Sequence, residues 1–148
     1  MSIKAVIIDY GSGNIFSLKK SLEYIILEKK INCLIEVSDS YKSLNNATHI
    51  ILPGQGAFNS CINGLNNLDG IVEELKNQVL EKKKPILGIC VGMQLLANKS
   101  FENGTHEGLG WIDGEIRKLP KESQTLPHMG WNIISCVNSH PTIDGLSD

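Results

Sequence analysis

A cysteine between two glycines, placed directly after an apolar run, most constrains how this chain can fold. Residues 85–89 are apolar and lead into Gly-Ile-Cys-Val-Gly at residues 88–92, after which a helix-like segment follows. The glycines let the backbone turn sharply from a strand into a helix, which lifts the thiol clear of a sheet. The next amide can then hold a developing oxyanion. Free cysteines are often simply buried, but this turn, the Cys90 turn, favours a nucleophile.

Short apolar runs alternate with helical patterns along the first part of the chain. The runs that predict strands are residues 5–9, 34–37, 49–52 and 86–89. The segments with helical spacing are residues 18–30 and 65–84, and residues 93–97 are expected to begin another helix. Strands separated by helices are typical of βαβ units, so we predict an α/β fold with a mostly parallel sheet between helices.

The pattern changes after Asn103. Residues 109–116 and 131–137 each have the character of a strand, and turns lie between them. We predict that they form an antiparallel extension of the parallel sheet. Because residues 143–148 have the character of a turn, we interpret residues 1–148 as the N-terminal portion of a single domain whose C-terminal part is absent.

Composition excludes several classes of protein. Lys and Arg number 14 against 16 Asp and Glu, so no basic surface is expected for nucleic acid or for a membrane. The apolar run at residues 3–8 is interrupted by Lys4 and is too short for a signal or spanning segment. The cysteines form no CxxC pair, which argues against a zinc site or a disulfide framework. We expect a cytoplasmic protein without a metal or cofactor.

Glycine-containing loops follow three of the predicted strands, at the edge where α/β folds place their sites. They are residues 11–14, residues 53–56 and the Cys90 turn. Gly54 and Gly56 would let backbone amides point toward the thiol, as an oxyanion hole requires. The first loop lacks the third glycine of a dinucleotide-binding fingerprint, because Phe16 stands there.

A cysteine nucleophile needs a base, which is usually a histidine. The candidates are His49, His106, His128 and His140. His49 falls in a predicted strand and His106 in a polar, glycine-rich loop. No local pattern marks any of these histidines as the base.

Four segments, taken together, resemble the triad (class I) glutamine amidotransferases. They are Asp-Tyr-Gly-Ser-Gly-Asn at residues 9–14, Leu-Pro-Gly-Gln-Gly-Ala-Phe at 52–58, Gly-Ile-Cys-Val-Gly-Met-Gln at 88–94 and Pro-His-Met-Gly-Trp-Asn at 127–132. Within that class the whole chain is similar to the glutaminase subunits of imidazole glycerol phosphate synthases. The resemblance implies a flavodoxin-like α/β domain that hydrolyses glutamine and supplies ammonia for histidine biosynthesis.

The resemblance also implies roles for individual residues. Cys90 would attack the side-chain amide of L-glutamine, giving a γ-glutamyl thioester and releasing ammonia. The other implied site residues are Gly54, Gln55, Gly56 and Val91 for the oxyanion hole, and Gln94 and Glu102 for holding the substrate. The residues that would face a cyclase partner are Asn14, His128, Met129 and Trp131. That partner would be a (β/α)8 barrel, bound as the second subunit of a heterodimer.

Two departures from the family pattern bear on this interpretation. Gln55 stands where valine is more usual, which a backbone-mediated role tolerates. The catalytic His and Glu of the family come from a later His-Pro-Glu segment that this sequence lacks, so we expect the chain alone to be inactive. Two alternatives stay open: a paralogue that supplies ammonia to another acceptor, as in surface-sugar amidation, and a non-catalytic piece that keeps only the partner-binding surface.

Overall fold

The computed structural model describes residues 2–120, 130–133, 135, 140 and 141. By its contacts the chain divides into two units, Met1–Lys118 and Leu119–Asp148. The strand expected at residues 131–137 falls partly outside the described residues, and residues 131–133 have no regular secondary structure. His128 and Met129 also lie outside the described residues.

A four-stranded parallel sheet forms the centre of the first unit. Its strands are β1 (Ile3–Ile8), β2 (Cys33–Ser38), β3 (His49–Leu52) and β4 (Ile86–Gly88). They are hydrogen-bonded in the order β2-β1-β3-β4, and each neighbouring pair is parallel. This confirms the predicted parallel sheet. The strand order changes direction between β1 and β3, because β2 lies on one side of β1 and β3 on the other. The helices that follow β1 and β3 therefore cover opposite faces of the sheet, and a change of this kind leaves a crevice at the carboxyl ends of the two strands.

Strand β1 is buried on both faces, and its side chains alternate between two apolar clusters. Val6 and Ile8 belong to the larger cluster, which also contains Leu52 of β3. Ala5 and Ile7 belong to the smaller cluster on the opposite face. Burial on both faces explains why the sequence of this strand is an almost continuous apolar run.

Helices cover both faces of the sheet, as predicted. They are α1 (Ile15–Glu28), α2 (Lys42–Asn45), α3 (Phe58–Asn66), α4 (Ile71–Lys76), which continues into a π-helical turn (Asn77–Glu81), and α5 (Val91–Gln94). Helix α1 packs through Leu18 and Leu22 on the smaller cluster. Helices α3 and α4 contribute Phe58 and Leu75 to the larger one. None of the helices among the described residues has the length and apolarity that crossing a membrane requires.

The segment after Cys90 differs from its sequence-based prediction. The helix expected from residues 93–97 ends at Gln94, because the next carbonyl groups are used elsewhere. The Leu95 carbonyl accepts the Leu109 N–H at 2.8 Å, and the Leu96 carbonyl accepts the Trp111 N–H at 2.9 Å. These long-range bonds take the acceptors that a continuing helix would have used.

The chain forms a second, three-stranded sheet in place of that helix. Its strands are β5 (Ala97–Ser100), β6 (His106–Glu107) and β7 (Ile112–Ile116). Strand β5 pairs antiparallel with β6 and parallel with β7. Of the two strands predicted for the extension, the one at residues 109–116 is present as β7. It pairs parallel with β5 in a separate sheet, so the prediction of an antiparallel extension on the first sheet is wrong for this strand.

We expect Leu75→Ala to lower the free energy of unfolding by about 2–5 kcal/mol, because it removes fully buried methyl groups and leaves a cavity. Leu27 on α1 is 79% exposed, so Leu27→Ala is the matched control, with an expected change below about 0.5 kcal/mol. Urea unfolding of the full-length protein, followed by circular dichroism, measures both. Equal losses for the two variants would contradict the burial assigned to α4.

Candidate active site

The connection from β4 to α5 places Cys90 on a sharp turn. Cys90 has φ 55° and ψ −118°, a left-handed backbone value that residues with a side chain seldom adopt and that tends to occur at functional sites. The thiol is exposed. The Cys90 carbonyl accepts the Gln94 N–H at 3.2 Å, so the helix begins immediately after the thiol. The strand-to-helix turn predicted from the flanking glycines is present.

The glycines of this turn are required by close packing of backbone on backbone. A Cβ at Gly92 would overlap the Leu52 carbonyl oxygen, and a Cβ at Gly88 would lie 2.6 Å from the Met93 Cα. Gly54, in the loop after β3, packs on the same turn, where a Cβ would lie 2.9 Å from the Val91 Cβ. The unusual φ belongs to Cys90 itself, so the glycines provide space for the turn and for its neighbour.

Cys90 lies between two cavities of the first unit. The larger has a volume of about 590 Å³, which suits a small-molecule site, and the smaller has about 280 Å³. The predicted site residues that line the larger cavity are Gly56, Cys90, Val91, Gln94 and Glu102. Those that line the smaller one are Asn14, Gly54, Gln55 and Cys90. The structure therefore brings all the predicted catalytic, oxyanion-hole and substrate-holding residues to one place.

Two amides in the wall of the larger cavity are available to an anion. Neither the Val91 N–H nor the Gly56 N–H donates a hydrogen bond to another residue that the structure describes. The Gln55 N–H differs, because it donates to the Ser12 Oγ at 3.2 Å. Of the amides predicted for an oxyanion hole, those of Gly54, Gly56 and Val91 donate to no described residue, whereas that of Gln55 is engaged. Gly56 and Val91 line the larger cavity, and Gly54 lines the smaller one.

Glu102 links the larger cavity to the start of α3. Its Oε2 accepts the Phe58 N–H at 2.8 Å, and its own N–H donates to the buried Ser100 Oγ at 3.2 Å. A carboxylate at a helix N-terminus satisfies an amide that the helix itself cannot pair. The Glu102 Oε1 has no hydrogen bond to a described residue, so it can bind a ligand without disturbing that contact.

The same cavity has a cationic rim, formed by Arg117 and Lys118, that was not predicted from the sequence. The Arg117 guanidinium lies 4.5 Å from the centroid of the Phe101 ring, and its Nε donates to Glu115 at 2.8 Å. Hydrogen bonds from Lys99 and Arg117 lower the pKa of Glu115 and keep it charged. These residues belong to no motif, and only the pairing of β5 with β7 brings them together.

The histidines described in the first unit do not line either cavity beside Cys90. The His49 Nδ1 lies 3.0 Å from the Thr48 hydroxyl, and the His106 Nε2 lies 3.4 Å from the Asn103 carbonyl oxygen.

In the second unit, Trp131 is fully exposed. In the part of the chain that the structure covers, no three His, Cys, Asp or Glu side chains are grouped to hold a metal ion.

Comparison with known proteins agrees with this arrangement. Residues 6–147 match the family model of class-I glutamine amidotransferases. The imidazole glycerol phosphate synthase subunit HisH of Brucella suis is 41% identical over 146 residues, which cover 97% of this chain and 68% of that protein. HisH of Rhodospirillum rubrum is 41% identical over 147 residues, covering 97% and 69%. HisH of Pelagibacter ubique is 38% identical over 148 residues, covering 99% and 70%.

The chain therefore belongs to the class I glutamine amidotransferase family. Its similarity to the HisH subunits covers nearly the whole chain, so within the family it is a glutamine amidotransferase subunit of the HisH type. The resemblance derived from the four sequence segments is confirmed.

We expect Gly92→Ala to abolish most glutaminase activity, since its Cβ would push the Cys90 turn away from Leu52. A displacement of about 1 Å at a catalytic group can lower the rate roughly 10²-fold. Glutamate release by the full-length protein measures the effect. Ser60→Ala, at an exposed position on α3, is the control. Normal turnover by Gly92→Ala would show that the turn does not need this contact.

Proposed function

We propose that the protein hydrolyses L-glutamine at Cys90 and passes the ammonia to a cyclase subunit in the cytoplasm, for the synthesis of imidazole glycerol phosphate in histidine biosynthesis. One observation carries the proposal: an exposed thiol on a strained turn lies beside two unengaged amides in a cavity of substrate size. The names of the HisH relatives support the pathway. The interpretation of residues 1–148 as the N-terminal portion of one amidotransferase domain stays a prediction.

In the proposed mechanism the Cys90 thiolate attacks the side-chain carbonyl carbon of glutamine. The carbonyl oxygen becomes an oxyanion that accepts hydrogen bonds from the Val91 and Gly56 amides. Collapse of this intermediate breaks the C–N bond, and the nitrogen takes up a proton and leaves as ammonia. Water then hydrolyses the γ-glutamyl thioester to glutamate and restores the thiol. The base and acid for these steps are assigned, by the family pattern, to a His-Pro-Glu segment outside this sequence.

The charges around the larger cavity suit a zwitterionic amino acid. The free Oε1 of Glu102 would accept a hydrogen bond from the α-ammonium group of glutamine. Arg117 and Lys118 stand on the same cavity and provide the positive charge that an α-carboxylate requires. Gln94, one helical turn after Cys90, would contribute its amide to the substrate. These contacts orient the side-chain amide toward the thiol.

The smaller cavity lies on the side of Cys90 that we assign to the partner. It is lined by Asn14, whose Oδ1 accepts the Ser17 N–H at 3.2 Å and begins helix α1. Trp131 offers a large exposed ring of the kind enriched at interface cores. We propose that the cyclase contacts Asn14 beside the smaller cavity, so that ammonia leaves the site directly into it. The family resemblance implies that His128, Met129 and Trp131 contact the cyclase as well.

We expect Cys90→Ala, in the full-length protein bound to its cyclase, to lower glutamine-dependent turnover by roughly 10⁴-fold or more, because alanine cannot form the thioester. Turnover with an ammonium salt should persist, since the cyclase reaction takes place on the other subunit. Cys33→Ala is the matched control, because Cys33 lines neither cavity beside Cys90. Glutamine-dependent turnover that survives Cys90→Ala would overturn the proposal.

We expect Glu102→Gln to raise the KM for glutamine about tenfold or more, because a hydrogen bond to a charged group contributes about 1.5–3 kcal/mol. Glutamine at this position still offers an oxygen to the Phe58 N–H, so the fold should be preserved. Steady-state glutaminase kinetics measure KM and kcat. Glu107→Gln, an exposed acidic residue on β6, is the control. An unchanged KM in Glu102→Gln would remove Glu102 from the substrate site.

A further inference from the structure

Two hydroxyl groups in the loop after β1 bind the loop after β3. The Tyr10 hydroxyl donates to the Pro53 carbonyl oxygen at 2.5 Å. The Ser12 hydroxyl donates to the Gln55 carbonyl oxygen at 2.8 Å and accepts the Gln55 N–H at 3.2 Å. Because Ser12 binds both polar groups of Gln55, it fixes the orientation of the peptide groups on either side of that residue.

The Tyr10 contact is buried, and the Ser12 contact is supported by a second group, Cys61. Tyr10 is only 5% exposed and Pro53 is buried. Burial raises the pKa of Tyr10, so its hydroxyl stays protonated and donates at any physiological pH. The buried thiol of Cys61 lies 3.1 Å from the Ser12 Oγ and 3.4 Å from the Gln55 carbonyl oxygen. Ser12 therefore contacts the buried thiol of Cys61 as well as the loop that it binds.

The segment that the hydroxyls hold is packed against the Cys90 turn. Gly54, between Pro53 and Gln55, lies against the Val91–Gly92 peptide. Gly56 follows Gln55 directly and lines the larger cavity with Cys90. A shift of Pro53 or Gln55 would therefore move the amides proposed for the oxyanion hole. Gln94, at the end of α5, and Glu102, whose N–H donates to the buried Ser100, each have support outside residues 53–56.

We propose that Tyr10 and Ser12 are positioning residues for glutamine hydrolysis: their hydroxyls hold residues 53–56 in register with the Cys90 turn, so that the amides of Gly56 and Val91 face the same oxyanion. The inference rests on the proposed function of Cys90. It assigns a role to two side chains of the 9–14 segment that line neither cavity beside Cys90. Their removal should affect the transition state more than the binding of glutamine.

The test compares Tyr10→Phe and Ser12→Ala in the full-length protein bound to its cyclase. We expect each variant to lower kcat for glutamate release about tenfold, less than the roughly 10²–10³-fold cost of deleting an oxyanion donor. The KM for glutamine should stay within about twofold, because the substrate-holding residues do not move. Turnover with an ammonium salt should be unchanged. Ser12→Thr keeps the hydroxyl and should recover most of the lost kcat.

Matched controls are Tyr24→Phe and Ser60→Ala, since both residues are exposed on helices and make no side-chain hydrogen bond to residues 53–56. Unchanged kcat in both loop variants, while Cys90→Ala is inactive with glutamine, would overturn this inference and leave the proposed function intact. A rise in KM with normal kcat, or a parallel fall in ammonium-dependent turnover, would overturn it as well. Persistent glutamine turnover by Cys90→Ala would instead overturn the proposed function.

Discussion

The contact of Gly54 with the Val91–Gly92 peptide is the constraint on which the rest of the site depends. It brings the loop after β3 and the turn after β4 together without an intervening side chain. Neighbouring parallel strands run about 4.7–4.9 Å apart, so loops that leave adjacent strands can reach this closeness only where Cβ atoms are absent. The parallel pairing of β3 with β4 supplies the alignment, and the glycines supply the space. The thiol and its neighbouring amides then share one cavity.

In that cavity, backbone groups and side chains have different roles. The backbone of residues 54–56 and 90–91 surrounds the reacting carbonyl in the proposed mechanism, whereas the side chains of Gln94, Glu102 and Arg117 surround the rest of the substrate. Backbone amides in fixed loops need little reorganisation as charge develops. The side chains, in contrast, recognise charges that do not change during the reaction. Gln55 fits this division, because its side chain is exposed and its backbone is bound by Ser12.

Much of this arrangement could be predicted from the sequence, because local patterns determine it. The four parallel strands are short apolar runs, and the Cys90 turn has glycines at the positions where close packing demands them. The failure at residues 93–97 has a physical cause. Leu95, Leu96 and Ala97 are apolar in either a helix or a strand, and the hydrogen bonds that decide between them come from Leu109 and Trp111, more than ten residues away. Arg117 was missed for the same reason, since it reaches the cavity only through the pairing of β7 with β5. Tyr10 and Ser12 lie in a recognisable segment, but their acceptors in residues 53–55 cannot be inferred from spacing alone.

The order of the strands also determines when the parts of the site come together during synthesis. The site combines residues 10–14, 53–56 and 88–92, and among the described residues the strand before the nucleophile pairs with β3 alone. Contacts between such distant segments form late, because loop closure must precede them. A nascent chain that has completed β1 to β3 therefore holds an oxyanion loop without a thiol. The thiol reaches that loop only when β4 joins the sheet, so the pairing of β4 with β3 completes this part of the site.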